Sequence, residues 1–266
     1  MTKYFVVADV HSFYDAMMDA LNKQGFDINN PNHKVIICGD LFDRGPDAVK
    51  CFAFAEAMSL ADRLEYVCGN HEDLLLQCVN DMIAFRRVAD HHIQNGTLDT
   101  IVQFTGINKY DLMMGTFDEQ ELLKKLMPVL EFITYNCEDW VEVEDYVFVH
   151  GWIPCTQKRV SYATTLFDPI EDWRNGDWGK ARWINGIEAA YRGVILPGKT
   201  IVCGHFHCSY GWSKVKMERK EFPSKSRSDW AKSFEIYTND GIIALDACTA
   251  FSGFVNCWTL EIEDDE

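Results

Sequence analysis

The chain has 266 residues, of which 47% are hydrophobic and 25% charged, and that composition excludes disorder, collagen and coiled coil as descriptions of the whole. Its 25 Lys+Arg face 41 Asp+Glu, and the formal net charge of −16 argues against tracking along a nucleic-acid backbone or binding an anionic membrane leaflet. Ten cysteines with no CxxC pair, and no secretory apolar region beyond the short YFVVA run, predict reduced thiols in a cytoplasmic protein.

In chain order, YFVVADVH predicts a short buried strand that ends in polar residues. Phe13 to Gln24 carries Phe13, Met17 and Leu21, with Ala16 and Ala20, at helical spacing, and Gly25 stops the helix. VIICGD predicts a second strand, Asp47 to Arg63 an alanine-rich helix with Asp47 as N-cap, and LEYVCGNHE a third strand. Strands that alternate with helices imply a parallel sheet with its active site at the carboxyl ends of the strands.

Residues 73 to 133 predict a helical insertion, LLLQCVNDMIAFRR and DEQELLKKLMPVLEF, with a turn near Asn95 to Thr97. Its His91-His92 pair reads as solvated surface. WVEVEDYVFVHGW predicts a hairpin turning at Glu144-Asp145. Residues 156 to 200 read as loop-rich; Trp173, Trp178 and Trp183 there are packing residues first, base-stacking residues second. KTIVCGHFH predicts another strand ending in His, and the last stretch two strands around an NDG turn followed by a third. No linker or repeat divides the chain, so a single domain, 1–266, is expected.

Five predicted strand ends carry metal-type ligands: Asp9 and His11; Asp40 and Asp43; Asn70 and His71; His150; His205 and His207. Residues i and i+2 on a strand share a face, as Asp9/His11 and His205/His207 would. Carboxylate, imidazole and amide oxygen together suit manganese, iron or zinc better than calcium or magnesium alone. Gly39, Gly69, Gly151 and Gly204 flank these positions, where the backbone has to turn tightly. One such strand end means little, since a lone Asp before Gly is usually a turn residue. Five together make coincidence a poor explanation.

DVH, GDLFDRG, GNHE, the HG of VFVHGW, and GHFH resemble, in that order, the five signature motifs of the metallophosphoesterases, the calcineurin-like phosphoesterase superfamily. GDLFDRG and GNHE are similar to the branch that holds serine/threonine phosphoprotein phosphatases, bacterial and phage phosphatases and symmetrical diadenosine tetraphosphate hydrolases. The resemblance implies a four-layer α-β-β-α sandwich of two mixed sheets, an α/β fold. It implies one ion on Asp9, His11, Asp40 and His207 and a second on Asp40, Asn70, His150 and His205, with Asp40 bridging. It implies two divalent ions, manganese first, with iron or zinc as alternatives, and a metal-bound hydroxide as nucleophile. His71 would be the general acid, oriented by Asp43, and Arg44 would hold phosphoryl oxygens beside Asn70.

The chemistry agrees with those roles. Two divalent ions can clamp both oxygens of an in-line displacement. His71 belongs to neither ion and is free to protonate a leaving group, and a neighbouring carboxylate favours its imidazolium. The planar fork of Arg44 suits phosphate.

The sequence departs from the family pattern in four places. Ser12 stands where Gly is common, GHFH supplies two histidines, and the insertion is long enough to act as a helical cap. The resemblance implies a second phosphate-binding arginine before the last His motif; Arg182 is the first candidate and Arg174 the second. Asp246 is either a neighbour of the ligands or a turn residue. The expected substrate is a phosphate monoester, with a phosphoprotein first and diadenosine tetraphosphate or another nucleotide as the alternative; an inactive scaffold is disfavoured because no ligand is missing. Residues 213 to 233 hold seven Lys/Arg against three Asp/Glu, a candidate substrate-guiding rim.

Overall fold

The computed structural model describes residues 1–161, 164–215 and 233–263. The strands are β1 (Thr2–Val7), β2 (His33–Cys38), β3 (Leu64–Val67), β4 (Cys137–Glu138), β5 (Val141–Val143), β6 (Tyr146–Phe148), β7 (Cys155–Ser161), β8 (Thr164–Pro169), β9 (Thr200–Cys203), β10 (Tyr237–Asn239), β11 (Ile242–Ala244) and β12 (Cys257–Ile262). The helices used below are α1 (Tyr14–Lys23), α2 (Ala48–Leu60), α3 (Asn70–Phe85), α4 (Asp90–Gln94), α5 (Thr97–Thr105), α6 (Lys109–Met114), α7 (Glu119–Asn136), α8 (Trp178–Ala181), α9 (Gly186–Tyr191) and α10 (Cys208–Val215).

One sheet has the order β12-β1-β2-β3-β4, parallel from β1 to β4 with β12 antiparallel at its edge. The second has the order β10-β11-β9-β6-β5, with β11, β9 and β6 parallel and an antiparallel strand at each edge. Alternation along each strand sorts residues between layers. Val6, Ala8, Ile36, Cys38 and Val67 face inward against Phe148, Val202, Ile243 and Leu245 of the second sheet. Phe5, Val7, Val35 and Ile37 face outward and pack under α1, α2, α3, α5 and α7. Val147, Ile201 and Cys203 face outward on the other side, against Trp152, Trp173, Trp178 and the α8–α10 segment. Helices thus lie outside two facing mixed sheets, the four-layer α/β arrangement expected.

The predicted elements hold with four differences. The insertion is five helices, α3 to α7, and its Leu98, Ile101, Leu122, Leu126 and Val129 share one apolar core with α1 and α2. It therefore forms the outer layer over the first sheet. Residues 156–200 are not mainly loop: β7 and β8 form an antiparallel hairpin, and short helices follow. Asp47 sits at the N-cap of α2, but its side chain pairs with Lys50 at 2.7 Å, and the Ala48 N–H is taken by Gln103 Oε1 of α5. His92 is buried, whereas His91 is exposed.

Candidate active site

The loops that follow β1, β2, β6 and β9, together with the start of α3, meet at one end of the two sheets. Their backbones are unusual. Asp9, His11, Ser12, Asp40, Asp43, Arg44 and His205 all have positive φ, between 50° and 73°. Each such non-glycine residue costs roughly 1–2 kcal/mol. Ser12, at φ 61°, occupies the left-handed region that favours glycine, so its departure from the family pattern adds strain without touching a ligand position. Hydrogen bonds hold the strained turns in place: His11 N–H to the Asp40 carbonyl (2.9 Å), Ser12 N–H to Leu41 (2.8 Å) and Gly45 N–H to His11 (2.9 Å).

Glu72 is the hub beneath them. Fully buried, it accepts the Asp40 and Gly69 N–H groups on Oε2, each at 2.8 Å, and the Leu41 N–H (2.9 Å) and Tyr66 hydroxyl (2.8 Å) on Oε1. A Cβ at Gly69 would collide with the Asp40 carboxylate, so this position admits no side chain.

Asp40 lies at the centre. Its Oδ1 accepts the His71 N–H at 2.9 Å and stands 3.3 Å from His150 Nε2, while its Oδ2 stands 3.7 Å from His11 Nε2 and 3.9 Å from His71 Nε2. Two donor groups result, His11–Asp40–His71 and Asp40–His150–His205, each with its ligand atoms within 4.8 Å of one another. Among the described residues Asp9 and His207 fall outside both groups. Asp9 accepts the His205 N–H on both oxygens, at 3.1 and 2.9 Å, and His207 Nε2 lies 3.9 Å from Asp246 Oδ2. Asp246 is buried and also accepts the Cys248 N–H at 2.7 Å, so it serves its turn and faces a ligand candidate at once.

The histidine tautomers are set by backbone. His11 Nδ1 donates to the Phe42 carbonyl (3.0 Å) and His150 Nδ1 to that of Cys38 (2.9 Å), and the Trp183 carbonyl is a hydrogen-bond neighbour of the His205 ring. Nε2 of His11 and of His150 is left as an acceptor aimed at the centre. His150 Nε2 and Asn70 Oδ1, both acceptors, face each other at 2.9 Å beside Asp40 Oδ1. Acceptors converging without a proton between them repel unless a cation lies among them, so this donor set fits divalent metal.

His71 differs. Its Nδ1 donates to Asp43 Oδ2 at 2.7 Å, and Thr97 and Thr100 hydroxyls of α5 donate to the two oxygens of Asp43, each at 2.7 Å. Arg44, exposed at the mouth, donates from Nη1 to His11 Nε2 (2.7 Å) and from Nη2 to His71 Nε2 (3.0 Å). Burial would lower the His71 pKa, but Asp40 and the bonded Asp43 outweigh it and raise it above the ordinary imidazole value. Burial would likewise raise Asp40, yet His150, His71 and His11 hold it well below the carboxylate range. Burial, with the charges of Asp246 and Asp40, pushes Asp9 well up. Burial depresses His11, and burial with His150 brings His205 down to about 3. These are the shifts of a crowded acceptor cluster.

The remaining candidates lie farther out. Arg182 Nη1 binds both oxygens of Asp73 (2.8 and 2.6 Å), and Nη2 binds Asp139 at 2.6 Å. Arg174 pairs with Glu142 at 2.9 Å and stacks over Trp173. Trp173 and Trp178 are buried, whereas Trp183 is 53% exposed. The basic stretch from 214 to 232 lies outside the residues whose side chains are described.

Residues 2–209, which carry every candidate metal ligand together with His71, Asp43, Arg44, Arg174 and Arg182, match the calcineurin-like phosphoesterase family. The chain belongs to that family. Members of this metallophosphoesterase family use divalent metals. Over 74 residues the chain is 34% identical to the asymmetrical bis(5'-nucleosyl)-tetraphosphatase PrpE of Bacillus subtilis, covering 26% of this chain and 30% of that protein. Over 72 residues it is 38% identical to the symmetrical bis(5'-nucleosyl)-tetraphosphatase of Buchnera aphidicola, covering 27% of this chain and 24% of that one. The chain thus matches under a third of the length of either relative. Its fold is similar to that of a mutant cold-active protein tyrosine phosphatase, with TM-score 0.51 at 15% identity, over 98% of this chain and 76% of the other. No helix among the described residues is long and apolar enough to cross a membrane.

Proposed function

We propose that this metallophosphoesterase hydrolyses a phosphoanhydride bond of dinucleoside polyphosphates, leaving two nucleotides, at a dinuclear centre built around Asp40. The observation that carries the reading is the placement of Asp40, whose two carboxylate oxygens face His150 on one side and His11 with His71 on the other. Asp9, His11, Asp40 and His207 would hold one ion; Asp40, Asn70, His150 and His205 would hold the second. Two divalent ions, when bound, supply Lewis acidity toward phosphoryl oxygens and lower the pKa of water.

The protein's own residues do the rest. Arg44 spans two imidazoles at the mouth with a planar fork that suits phosphate, and an incoming phosphoryl group competes for its donors. His71 keeps its Nδ1 proton on Asp43; once a phosphoryl group draws Arg44 away, the raised pKa lets Nε2 carry a second proton, which it gives to the leaving oxygen. Thr97 and Thr100 fix Asp43 and so aim the imidazole. Arg182 already spends its fork on Asp73 and Asp139, so a grip on phosphate would require breaking those pairs. We therefore assign phosphate binding to Arg44 and an anchoring role to Arg182.

The nucleotide class is placed first because the sequence relatives named above are bis(5'-nucleosyl)-tetraphosphatases. A phosphoprotein substrate is the second reading, favoured by the likeness of GDLFDRG and GNHE to the protein phosphatase branch. A panel of diadenosine tetraphosphate, phosphoserine peptides and a phosphodiester on the Mn(II)-loaded protein separates them. The expected result is a kcat/KM at least about tenfold higher for the dinucleotide than for any phosphopeptide, about 1.4 kcal/mol of preference. The reverse order would overturn the nucleotide reading.

A further inference from the structure

Trp183 is an exposed aromatic ring at the edge of the metal-ligand cluster. It is 53% exposed, whereas the other two tryptophans of its segment are buried. Its ring packs edge-on against His205 at 6.0 Å between centroids, and its carbonyl is a hydrogen-bond neighbour of that same imidazole.

The backbone beneath the ring is fixed from three sides. Arg182, its side chain only 15% exposed, is tied to Asp73 of α3 and to Asp139 of the β4–β5 turn. Trp152 N–H donates to the Ala181 carbonyl at 3.2 Å, and Trp183 N–H to that of Lys180 at 3.1 Å. The carbonyls of Ala181 and Arg182 lie so close to Gly151 that no side chain fits there. Half-exposed tryptophan normally carries a burial incentive that this fold leaves unused. A large flat ring held still beside a phosphate-binding centre offers stacking at little cost in conformational entropy.

We infer that Trp183 is a stacking platform for the nucleobase of the substrate, positioned by Arg182 and placed so that a nucleotide with its phosphate at the Asp40 centre lays its base on the ring. This rests on the nucleotide reading above. It gives the KARWING segment a specificity role: Arg182 acts through Trp183, and Trp183 touches the substrate. The competing account is that Trp183 only shields His205. Shielding would treat all phosphates alike.

Adenosine 5'-monophosphate and ribose 5-phosphate carry the same phosphate ester and differ by the base, so they isolate the ring's contribution. Their binding to Mn(II)-loaded wild-type, Trp183→Ala and Trp183→Phe proteins is measured by calorimetry. The wild type is expected to bind the nucleotide about tenfold more tightly than the sugar phosphate. Trp183→Ala should erase that difference and leave ribose 5-phosphate affinity unchanged, and Trp183→Phe should keep most of it. Equal affinities in the wild type, or a difference that survives Trp183→Ala, would overturn the platform. So would an equal loss for both ligands in Trp183→Ala, the signature of shielding. Failure of the wild type to bind either ligand or to turn over any nucleotide would overturn the nucleotide reading itself, and the platform with it.

Discussion

His71 carries the sharpest test at the scale of single residues. Its Nδ1 is committed to Asp43 and its Nε2 faces the reacting space. His71→Asn should leave metal content unchanged and lower kcat by about 10²- to 10⁴-fold on an alkyl phosphate. The loss should be smaller on p-nitrophenyl phosphate, whose leaving group needs little protonation. Equal losses on both would remove the general-acid role. The residues with metal-type side chains were legible in the sequence because few other jobs call for Asp, His and Asn at five strand ends. Glu72 was legible only as a letter of GNHE. Its work is to accept backbone N–H groups of Asp40 and Leu41, more than thirty residues away, and no local spacing reports such a partner. The partners of Arg182 were hidden for the same reason, since nothing in KARWING announces Asp73 or Asp139.

Among the elements, α5 matters most to the site. The helical insertion is more than a cap, because α5 reaches under the site and presents Thr97 and Thr100 to Asp43. Converting both to valine keeps shape and removes two hydrogen bonds to a carboxylate, each worth about 1.5–3 kcal/mol. Denaturant unfolding should show a loss of about 3 kcal/mol or more, and kcat should fall while KM holds. Unchanged kcat in a folded double variant would detach α5 from catalysis. The strands β1, β2, β3 and β9 were readable as apolar runs, being buried on both faces. The β7–β8 hairpin was not, because CTQKRVS and TTLFDP are largely polar and none of their residues whose side chains are described is fully buried. The His91-His92 pair was misread because adjacent helical residues point in different directions, so a half-buried helix covers one and exposes the other.

For the whole molecule, the net charge of −16 is partly concentrated in a buried acidic cluster of Asp9, Asp40, Asp43, Glu72 and Asp246. Such a cluster gains from divalent cations that bind only the folded chain. At a hundred times its dissociation constant each ion adds about 2.7 kcal/mol. Chelation should therefore lower the melting temperature by roughly 10 °C, and Mn(II) should restore it. Identical melting with and without metal would contradict a built dinuclear site. The central claim is that Asp40 joins two ions into one catalytic centre, and metal content in Asp40→Asn tests it most directly. The expected result is about two ions per wild-type chain, loss of both in the variant, and turnover reduced by at least about 10²-fold. A variant that keeps wild-type metal content, or that keeps its activity, would contradict the account.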